Sequence, residues 1–275
     1  MNRKELAQRL RALHQGERPV LFANCWDVAS ARTLAEAGFP AVATSSAAIA
    51  NTRGYADGQR IPRAEMLEVV GRIARGVKIP VSADCEGGYS DDPHEVGETA
   101  RLLLQAGAVG MNLEDSEEDE SRLVALDLQV AKIKAVRAAA AHAGVPLVLN
   151  ARVDAMFLHG PAPADPWGEA VSRAQVYRAA GADCIFVPGM QELGMIRRFV
   201  EASPGPLNIL GNENSASVEE LARAGVRRIS LGSRPYLAAL ALLRRIGEDL
   251  RGPGSFGRVE GAMTYAEVNG WFRES

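Results

Sequence analysis

Short apolar runs alternate with amphipathic stretches along the whole chain. Four times an amphipathic stretch ends in Ala-Gly and an apolar run follows at once, at Gly38, Gly107, Gly181 and Gly225. A glycine at this point adopts the left-handed conformation that closes the last turn of a helix. The runs themselves are too short for helices and do not alternate with polar residues, which is typical of strands buried on both faces.

Proline introduces the other four apolar runs, at Pro19, Pro80, Pro146 and Pro206. Proline ends a preceding helix and suits the first residue of a strand. The pattern therefore predicts eight strands, near residues 20–24, 41–45, 79–84, 109–114, 146–151, 183–187, 206–210 and 228–232. Strands separated by helices pair in parallel, and eight such units predict a (β/α)₈ barrel of the TIM type.

The pattern predicts one domain over residues 1–275, with the barrel at about 18–245 and a helical extension at about 251–275. The extension follows a glycine-rich break after Leu250 and carries a short predicted helix, Thr264–Phe272. The alternative architecture is an open doubly wound sheet. The first strand lacks the GxGxxG turn of that fold, so the barrel is favoured.

Composition limits the function classes. Of the 275 residues 47% are hydrophobic and 24% charged, as in an ordinary globular protein, and the formal net charge is -3. This charge offers no basic field for nucleic acid or an anionic membrane. The three cysteines are widely separated, the first residues are too polar for a signal peptide, and no apolar run approaches the ~18 residues of a membrane span. We therefore expect a cytoplasmic protein.

Chemistry in such a barrel collects where the strands end. Adjacent strands end in Asp84 and Glu86, in Glu114, and in Asp154. Because like charges repel, carboxylates gathered there favour a cation between them, and oxygen ligands suit Mg²⁺ or Mn²⁺. Asp84 and Glu86 stand two apart, so on a strand both point to one face. The alternative is that each acid forms an ion pair with a surface arginine.

Arg152 directly follows an apolar strand run, where a charged side chain is unusual and indicates a specific binding or structural role. Its guanidinium can bind a carboxylate or stabilise an enolate oxygen. The alternative is a salt bridge to Asp154 or to an acid of the fourth strand. Ser45 and Ser46 follow the second strand and can offer hydroxyl and N–H groups to a substrate carboxylate. Three further polar residues at strand ends are candidates for meeting a distal carboxylate: Asn212, Asn214 and Arg234.

Four segments occur in order, TSSAAIA with the loop to Asp57, SADCEGGYSDDP, MNLED and NARVDA. They resemble motifs of the isocitrate lyase/phosphoenolpyruvate mutase superfamily over about residues 18–245. The resemblance implies a Mg²⁺ ion, or Mn²⁺ in its place, held directly by Asp84, with three acids acting through water: Asp57, Glu86 and Glu114. It further implies that Ser45, Ser46 and Ala47 hold the substrate carboxylate and that Arg152 faces the oxyanion.

The chain also departs from that superfamily. Isocitrate and methylisocitrate lyases carry Lys-Cys-Gly-His on the loop after the fourth strand, and here the segment reads DSEEDESRLVALD. Cys85 is no substitute, because strand neighbours face opposite ways. The lysine and asparagine of the phosphonomutase loop are absent too. We interpret the acidic run 117–120 as a solvated mobile lid. Tyr55 and Tyr89 remain as candidates for proton transfer, with packing as their alternative role.

These observations favour a Mg²⁺-dependent carbon–carbon lyase or decarboxylase acting on a 2-oxo or 2-hydroxy di- or tricarboxylate. Its 2-oxo acid would resemble pyruvate, oxaloacetate or 2-oxoglutarate, and its catalytic residues would be Arg152, Glu114 and Tyr89. Two alternatives stay open: a mutase or hydrolase of phosphonopyruvate, and a 2-oxo acid binding protein without turnover. The resemblance also implies a homotetramer that exchanges the carboxyl-terminal helix between neighbours.

Overall fold

The computed structural model describes residues 1–117 and 121–273. It contains one sheet of eight parallel strands in the order β1-β8-β7-β6-β5-β4-β3-β2. The strands are Val20–Phe22 (β1), Val42–Ala43 (β2), Val81–Asp84 (β3), Gly110–Glu114 (β4), Val148–Arg152 (β5), Cys184–Phe186 (β6), Leu207–Leu210 (β7) and Val226–Ser230 (β8). The predicted barrel is confirmed.

The seam between β1 and β2 closes through residues that follow β1. Cys25 donates its N–H to the carbonyl of Ala43 at 2.8 Å and accepts from the N–H of Ser45 at 3.0 Å. The side chain of Asn24 adds a further hydrogen bond across this seam, because its Nδ2 donates to the carbonyl of Thr44 at 2.8 Å. Its Oδ1 accepts from the N–H of Gly232, after β8, at 3.0 Å. The sheet therefore curls into a barrel rather than staying open.

Helices cover the outside of the barrel. Their bounds are Arg3–Leu13 (α1), Val28–Glu36 (α2), Ser46–Thr52 (α3), Arg63–Gly76 (α4), Pro93–Ala106 (α5), Leu126–His142 (α6), Pro166–Ala180 (α7), Leu193–Ala202 (α8), Val218–Arg223 (α9), Arg234–Arg251 (α10) and Tyr265–Gly270 (α11). Gly107 and Gly181 end α5 and α7 with φ of 107° and 115°, the left-handed region predicted from the Ala-Gly pairs. A side chain there would be strained.

Each of the eight strands differs from its predicted bounds by one or two residues at one end or both, and β8 and β2 show why. β8 begins at Val226, directly after Gly225, and ends at Ser230 rather than at residue 232. The chain leaves the sheet there because Gly232 takes φ of 56° and starts the approach to α10. β2 is shorter than predicted, since beyond Ala43 the pairing continues only as the bridge between Thr44 and Cys25.

Helix α1 closes the amino-terminal end of the barrel. The side chain of Leu10 packs so tightly on the first residue of β4 that a Cβ on Gly110 would lie 2.8 Å from it. Arg11 forms an ion pair of 2.8 Å with Asp183, just before β6. His14, at the end of α1, is buried, and its Nδ1 donates to the carbonyl of Leu10 at 2.8 Å. The other end of the barrel is thus the one left for chemistry.

The segment after β8 lies outside the barrel. None of the residues of α10 is buried, and its exposed leucines include Leu240, Leu242 and Leu243. A short 3-10 turn, Gly257–Val259, and α11 follow. The predicted terminal helix is therefore present, over Tyr265–Gly270. Among the described helices, none combines the length and apolar character needed to cross a membrane.

Candidate active site

A cavity of about 410 Å³ opens at the carboxyl ends of the strands. Arg234, a candidate for meeting a distal carboxylate, lines it. So do six residues predicted to bind the metal or the substrate: Ser45, Ser46, Ala47, Asp57, Asp84 and Arg152. They come from β2, β3 and β5 and from the loops after them, so only the closed barrel brings them together. Asn24, Asn112 and Ser230 add polar groups to the same lining.

Asp84, the last residue of β3, is held on both carboxylate oxygens. Ser46 donates to Oδ2 from its backbone N–H at 3.2 Å and from its hydroxyl at 2.8 Å. Asn112 donates to Oδ1 from Nδ2 at 3.3 Å. The N–H of Asp84 donates to the hydroxyl of Thr44 at 2.9 Å. These contacts fix the carboxylate while its residue still lines the cavity.

Asn112 was not predicted as a site residue. Its Oδ1 accepts from Nδ2 of Asn150 at 2.5 Å and from Arg228 at 3.4 Å. Because the amide oxygen of Asn112 accepts from these two donors, its NH₂ group is the part that faces Asp84. Arg228 is fully buried over the ring of Phe22, and burial lowers the pKa of its guanidinium to about 10. The sequence did contain a signal for this contact, because Asn112 and Asn150 each lie inside an apolar strand run.

Glu86 reaches the site by a different route from the one predicted. β3 ends at Asp84, and Glu86 adopts φ of 49°, so strand alternation does not set its direction. Its side chain is buried, and one carboxylate oxygen accepts from the N–H of Gln59. Within the described part of the chain, the other oxygen has no hydrogen-bond partner. Burial, and then the charges of Asp84 and Asp57, raise the pKa of Glu86 to about 8.

Arg152 has both of the ion-pair partners that the sequence left as alternatives. Its Nη1 lies 2.6 Å from Glu114 and its Nε lies 2.6 Å from Asp154. The ring of Phe157 covers the guanidinium at 5.6 Å. The arginine lines the cavity despite these contacts. The carboxylates therefore hold the guanidinium in one orientation at the cavity wall.

A buried network behind Arg152 holds Asp154 in turn. Ser116 donates its hydroxyl to Asp154 at 3.1 Å, and the N–H of Asp154 donates to Asp115 at 2.8 Å. Asp115 also accepts from the hydroxyl of Tyr177 at 2.7 Å and from Arg173 at 3.2 Å. Tyr177 and Arg173 lie on α7, and their part in this network could not be foreseen from the sequence.

Four residues predicted for the site do not line the mouth cavity: Glu86, Glu114, Tyr89 and Asn212. Tyr89 lines a neighbouring cavity of about 770 Å³, between the loop after β3 and α6. Its hydroxyl is buried without a hydrogen-bond partner in the described chain, and burial raises its pKa far above the usual value. Asn212 does not line the mouth cavity; its side chain accepts from the N–H of Asn214 at 2.8 Å and shapes its own loop. Tyr55 donates to Glu65 at 3.2 Å.

The loop after β4 is the predicted lid. Its two ends meet in a bridge between Ser116 and Leu123, and Arg122 pairs with Glu117 at 2.9 Å. Residues 118–120 of the acidic run lie outside the described residues. The interpretation of this run as a solvated lid stays a prediction.

The donor set fits a hard divalent cation. In residues 1–117 and 121–273, no group of three acidic, histidine or cysteine side chains converges closely enough to ligate a metal directly. Asp84 and Asp57 line one cavity, and the charges of both act on Glu86, which has a buried carboxylate oxygen without a partner among the described residues. One direct carboxylate with further acids acting through water is the arrangement that Mg²⁺, which keeps several waters, accepts.

A parallel eight-stranded barrel whose mouth combines acids with the largely buried Arg152 is suited to binding small organic acids. The phosphoenolpyruvate phosphomutase family profile matches residues 10–251, and the chain belongs to this family. An oxaloacetate decarboxylase from Ectopseudomonas mendocina is 30% identical over 245 residues, which cover 86% of this chain and 81% of the relative.

Two further relatives differ in their assigned chemistry. A 2-methylisocitrate lyase from Bacillus subtilis is 30% identical over 213 residues, covering 75% of this chain and 67% of the lyase. A crystal structure from Burkholderia cenocepacia, provisionally assigned as a phosphonomutase, is 40% identical with a TM-score of 0.85. It covers 89% of this chain, and 99% of that chain is matched. Relatives of this chain thus include lyases and mutases of small acids.

Proposed function

We propose that the protein is a Mg²⁺-dependent carbon–carbon lyase or decarboxylase acting on a 2-oxo or 2-hydroxy acid with a second carboxylate. The observation that carries the proposal is that Asp57, Asp84 and Arg152 line one cavity of about 410 Å³. Cleavage of the C3–C4 bond of a 2-oxo acid such as oxaloacetate releases CO₂ and leaves the enolate of the 2-oxo group, which takes up a proton at C3 to give pyruvate. The site must therefore stabilise negative charge on that oxygen.

Asp84 would hold Mg²⁺, or Mn²⁺ in its place, with Asp57, Glu86 and Glu114 acting through water. Bound there, the metal supplies Lewis-acid polarisation of a substrate oxygen. The backbone amide of Ser46 is already bonded to Asp84 and that of Ser45 to Cys25. The substrate carboxylate would therefore be met by the Ser45 hydroxyl and by the start of α3 at Ala47.

Arg152 would stabilise the enolate oxygen by its charge and its N–H donors. Glu114 and Asp154 keep the guanidinium oriented before the substrate arrives, which reduces the reorganisation needed during the reaction. Tyr89 remains a candidate proton donor, because its buried hydroxyl has no hydrogen-bond partner among the described residues. It lines the neighbouring cavity, so replacement of Tyr89 by phenylalanine is the direct test of whether it takes part.

The proposed function is tested by thermal shift with pyruvate, oxaloacetate, 2-oxoglutarate and phosphonopyruvate, each with and without Mg²⁺, followed by product analysis. We expect Mg²⁺-dependent stabilisation by 2-oxo acids and pyruvate formation from oxaloacetate. Asp84→Ala is the control that should remove the metal dependence, and Arg152→Ala should weaken 2-oxo acid binding. If neither variant differs from the wild type, the site assignment is wrong.

The same experiment separates the alternatives. The similarity to the Burkholderia cenocepacia structure favours phosphonomutase chemistry as the second candidate, and stabilisation by phosphonopyruvate alone would select it. Metal-dependent stabilisation by 2-oxo acids without any product would select a binding protein.

The exposed apolar face of α10 supports a proposal on assembly. We expect a second copy of the chain to cover Leu240 and Leu243, which are 43% and 64% exposed, in a homotetramer that exchanges the carboxyl-terminal helical segment. Mass photometry of the full chain should give four subunits, and truncation after Arg251 should reduce the assembly.

A further inference from the structure

A fully buried arginine lies one layer below the mouth cavity. Arg228 stands on β8 two residues before Ser230, which lines the cavity. Side chains two apart on a strand point to the same face, so the side chain of Arg228 points into the barrel interior beneath the cavity. It is 0% exposed, and its guanidinium packs at 4.4 Å over the ring of Phe22. A positive charge is therefore enclosed in the centre of the barrel.

This charge has no carboxylate partner at ion-pair distance within residues 1–117 and 121–273. The guanidinium donates instead to three neutral oxygens, and the contacts are long. Nη1 lies 3.5 Å from Oγ of Ser82, Nη2 lies 3.4 Å from Oδ1 of Asn112, and Nε lies 3.4 Å from Oγ of Ser230. A buried ion without an opposite charge beside it is costly. The field of Arg228 is therefore not cancelled by a neighbouring carboxylate.

The charge of Arg228 acts on groups at both ends of the barrel. Burial lowers the pKa of its guanidinium to about 10, while Cys184 and then Asp84 act in the opposite direction. Burial raises the pKa of the Cys184 thiol to about 12, so the thiol is uncharged at neutral pH and Asp84 is the carboxylate involved. At the amino-terminal end, burial and then the charge of Arg228 lower the pKa of His14 to about 4. Asp84 and His14 thus mark the two directions in which this charge acts.

Two side chains connect Arg228 with the cavity. Asn112 and Ser230 both accept from the guanidinium and both line the cavity. Asn112 also donates from Nδ2 to Asp84 at 3.3 Å. Hydrogen bonds in a chain polarise one another, so the guanidinium strengthens the hold of Asn112 on that carboxylate. A cation below the floor of a cavity stabilises an anion bound there and disfavours a second cation.

We propose that Arg228 is a positioning residue that acts through Asn112 and Ser230: its buried charge favours the organic anion in the cavity and weakens the hold of Asp84 on the metal. This inference rests on the proposed function and adds a second cation to Arg152. The two arginines differ, because Glu114 and Asp154 offset the charge of Arg152. Removal of the Arg228 charge should therefore weaken anion binding and tighten Mg²⁺ binding. A merely structural role, in which Arg228 only supports Asn112, would loosen Asp84 and weaken both.

Arg228→Met tests this split, because it removes the charge and keeps a long aliphatic side chain. Calorimetry on the full-length protein measures Mg²⁺ binding, and then oxalate binding with saturating Mg²⁺. Oxalate is the probe because it is a planar dianion with the shape of the pyruvate enolate. We expect about tenfold tighter Mg²⁺ binding and about tenfold weaker oxalate binding. Arg228→Lys keeps the charge and should restore both constants to within about threefold of the wild type.

Arg227→Met is the matched control, because it makes the same change of net charge one residue away. Arg227 donates to the carbonyl of Ala222 on α9, outside the barrel, at 3.4 Å, so both constants should stay unchanged. An NMR titration of His14 in the metal-free protein reports the field without any ligand. The pKa of His14 should rise from about 4 in Arg228→Met and stay there in Arg228→Lys and Arg227→Met.

A second variant keeps the arginine and cancels its charge, which covers the case that Arg228→Met does not fold. Asn208 on β7 is buried, is in register with Arg228, and donates to Oγ of Ser230 at 3.1 Å. Asn208→Asp has the same shape and places a carboxylate beside the guanidinium, to which Ser230 can donate. We expect the same signs as for Arg228→Met, with tighter Mg²⁺ binding and weaker oxalate binding. Melting temperature and subunit number show that each variant is folded.

The outcomes are separable. If the wild type binds neither Mg²⁺ nor oxalate, the proposed function fails and this inference fails with it. If both bind to the wild type, but Arg228→Met and Asn208→Asp weaken Mg²⁺ binding or leave oxalate binding unchanged, the inference about Arg228 is overturned while the proposed function stands. Equal effects of Arg228→Met and Arg227→Met would also overturn it, since the net charge of the chain would then explain the shifts.

Discussion

The wall of the mouth cavity has a polar stretch, the polar arc, and a second stretch rich in apolar side chains, the apolar arc. The polar arc comprises Ser46, Asp57, Asp84, Asn112 and Arg152, and the apolar side chains of the apolar arc are Phe157, Phe186, Pro188, Leu210, Leu231 and Leu237. The two arcs are built by different means. In the polar arc, neighbouring side chains hold Asp84 and Arg152: Ser46 and Asn112 donate to Asp84, and Glu114 and Asp154 pair with Arg152. The apolar arc holds its residues by packing alone. The first arc can thus keep its geometry only as a connected network, whereas the second tolerates exchange of one apolar side chain for another.

This difference explains how relatives of one fold can act on different acids. Groups that stabilise charge must be oriented to within a fraction of an ångström, so they tolerate little change. The wall that receives the rest of the substrate only needs the right shape and polarity. Each of the following variants is expected to affect one arc, or neither, and so tests whether the division holds.

The largest effect is expected from Asp84→Asn. The amide can still accept from Ser46, so the fold should be kept, but the direct charge for Mg²⁺ is lost. A metal that polarises the substrate contributes several kcal/mol, which corresponds to about a thousandfold or more in turnover. Initial rates with oxaloacetate and Mg²⁺-dependent thermal shifts measure this. An unchanged metal response would show that the ion binds elsewhere.

The second largest effect is expected from Arg152→Met. Turnover should fall by about 10²–10³-fold, because one preorganised charge at the oxyanion is lost. It also leaves Glu114 and Asp154 buried without their cation, which should cost about 3–5 kcal/mol of unfolding free energy. Urea denaturation measures the second effect. Phe186→Leu, in the apolar arc, is the matched control and should keep most of the turnover with oxaloacetate. Equal losses in both variants would contradict the division into arcs.

Asn112→Ala and Asn212→Ala form a third, smaller contrast. Asn112 holds Asp84 and accepts from Asn150 and Arg228, so its removal should weaken Mg²⁺ binding by about 10–100-fold. Asn212 does not line the cavity, and its removal should change substrate affinity little. Titration of Mg²⁺ and of oxaloacetate by calorimetry compares them. A strong effect of Asn212→Ala on substrate binding would show that Asn212 is part of the substrate site after all.

The smallest effect on the mouth is expected from His14, at the opposite end of the barrel. Burial, and then the charge of Arg228, lower its pKa from 6.5 to about 4. Protonation therefore favours the unfolded chain, so this contribution to stability is complete above pH 6.5 and is lost as the pH falls to about 4. The loss amounts to about 3 kcal/mol.

Urea midpoints between pH 7 and pH 4 check this sign. His14→Gln should flatten the decline in that window, whereas exposed His142→Gln should not. Turnover at neutral pH should be unchanged in both. If His14→Gln lost stability at low pH as the wild type does, the loss of unfolding free energy would have to come from the acidic residues at the mouth of the barrel.

Much of the fold could be read from the chain alone, because Ala-Gly and proline boundaries are local signals. The eight strands and the glycine caps at Gly107 and Gly181 followed from such patterns, and the six lining residues from Ser45 to Arg152 followed from strand ends together with the family resemblance. The direction of Glu86 did not, since its positive φ breaks the alternation that a strand implies. The position of Tyr89, beside a second cavity, depends on the same turn.

What the sequence by itself determined is therefore the barrel and the identity of the charged groups at its mouth, because periodicity and strand ends are written in neighbouring residues. Only the tertiary structure decided which groups meet. Asn112 reaches Asp84, Tyr177 reaches Asp115, and Phe157, Phe186 and Leu210 form one wall, although they are far apart along the chain. These contacts depend on how the strands close around the axis, and no local pattern of residues records that geometry.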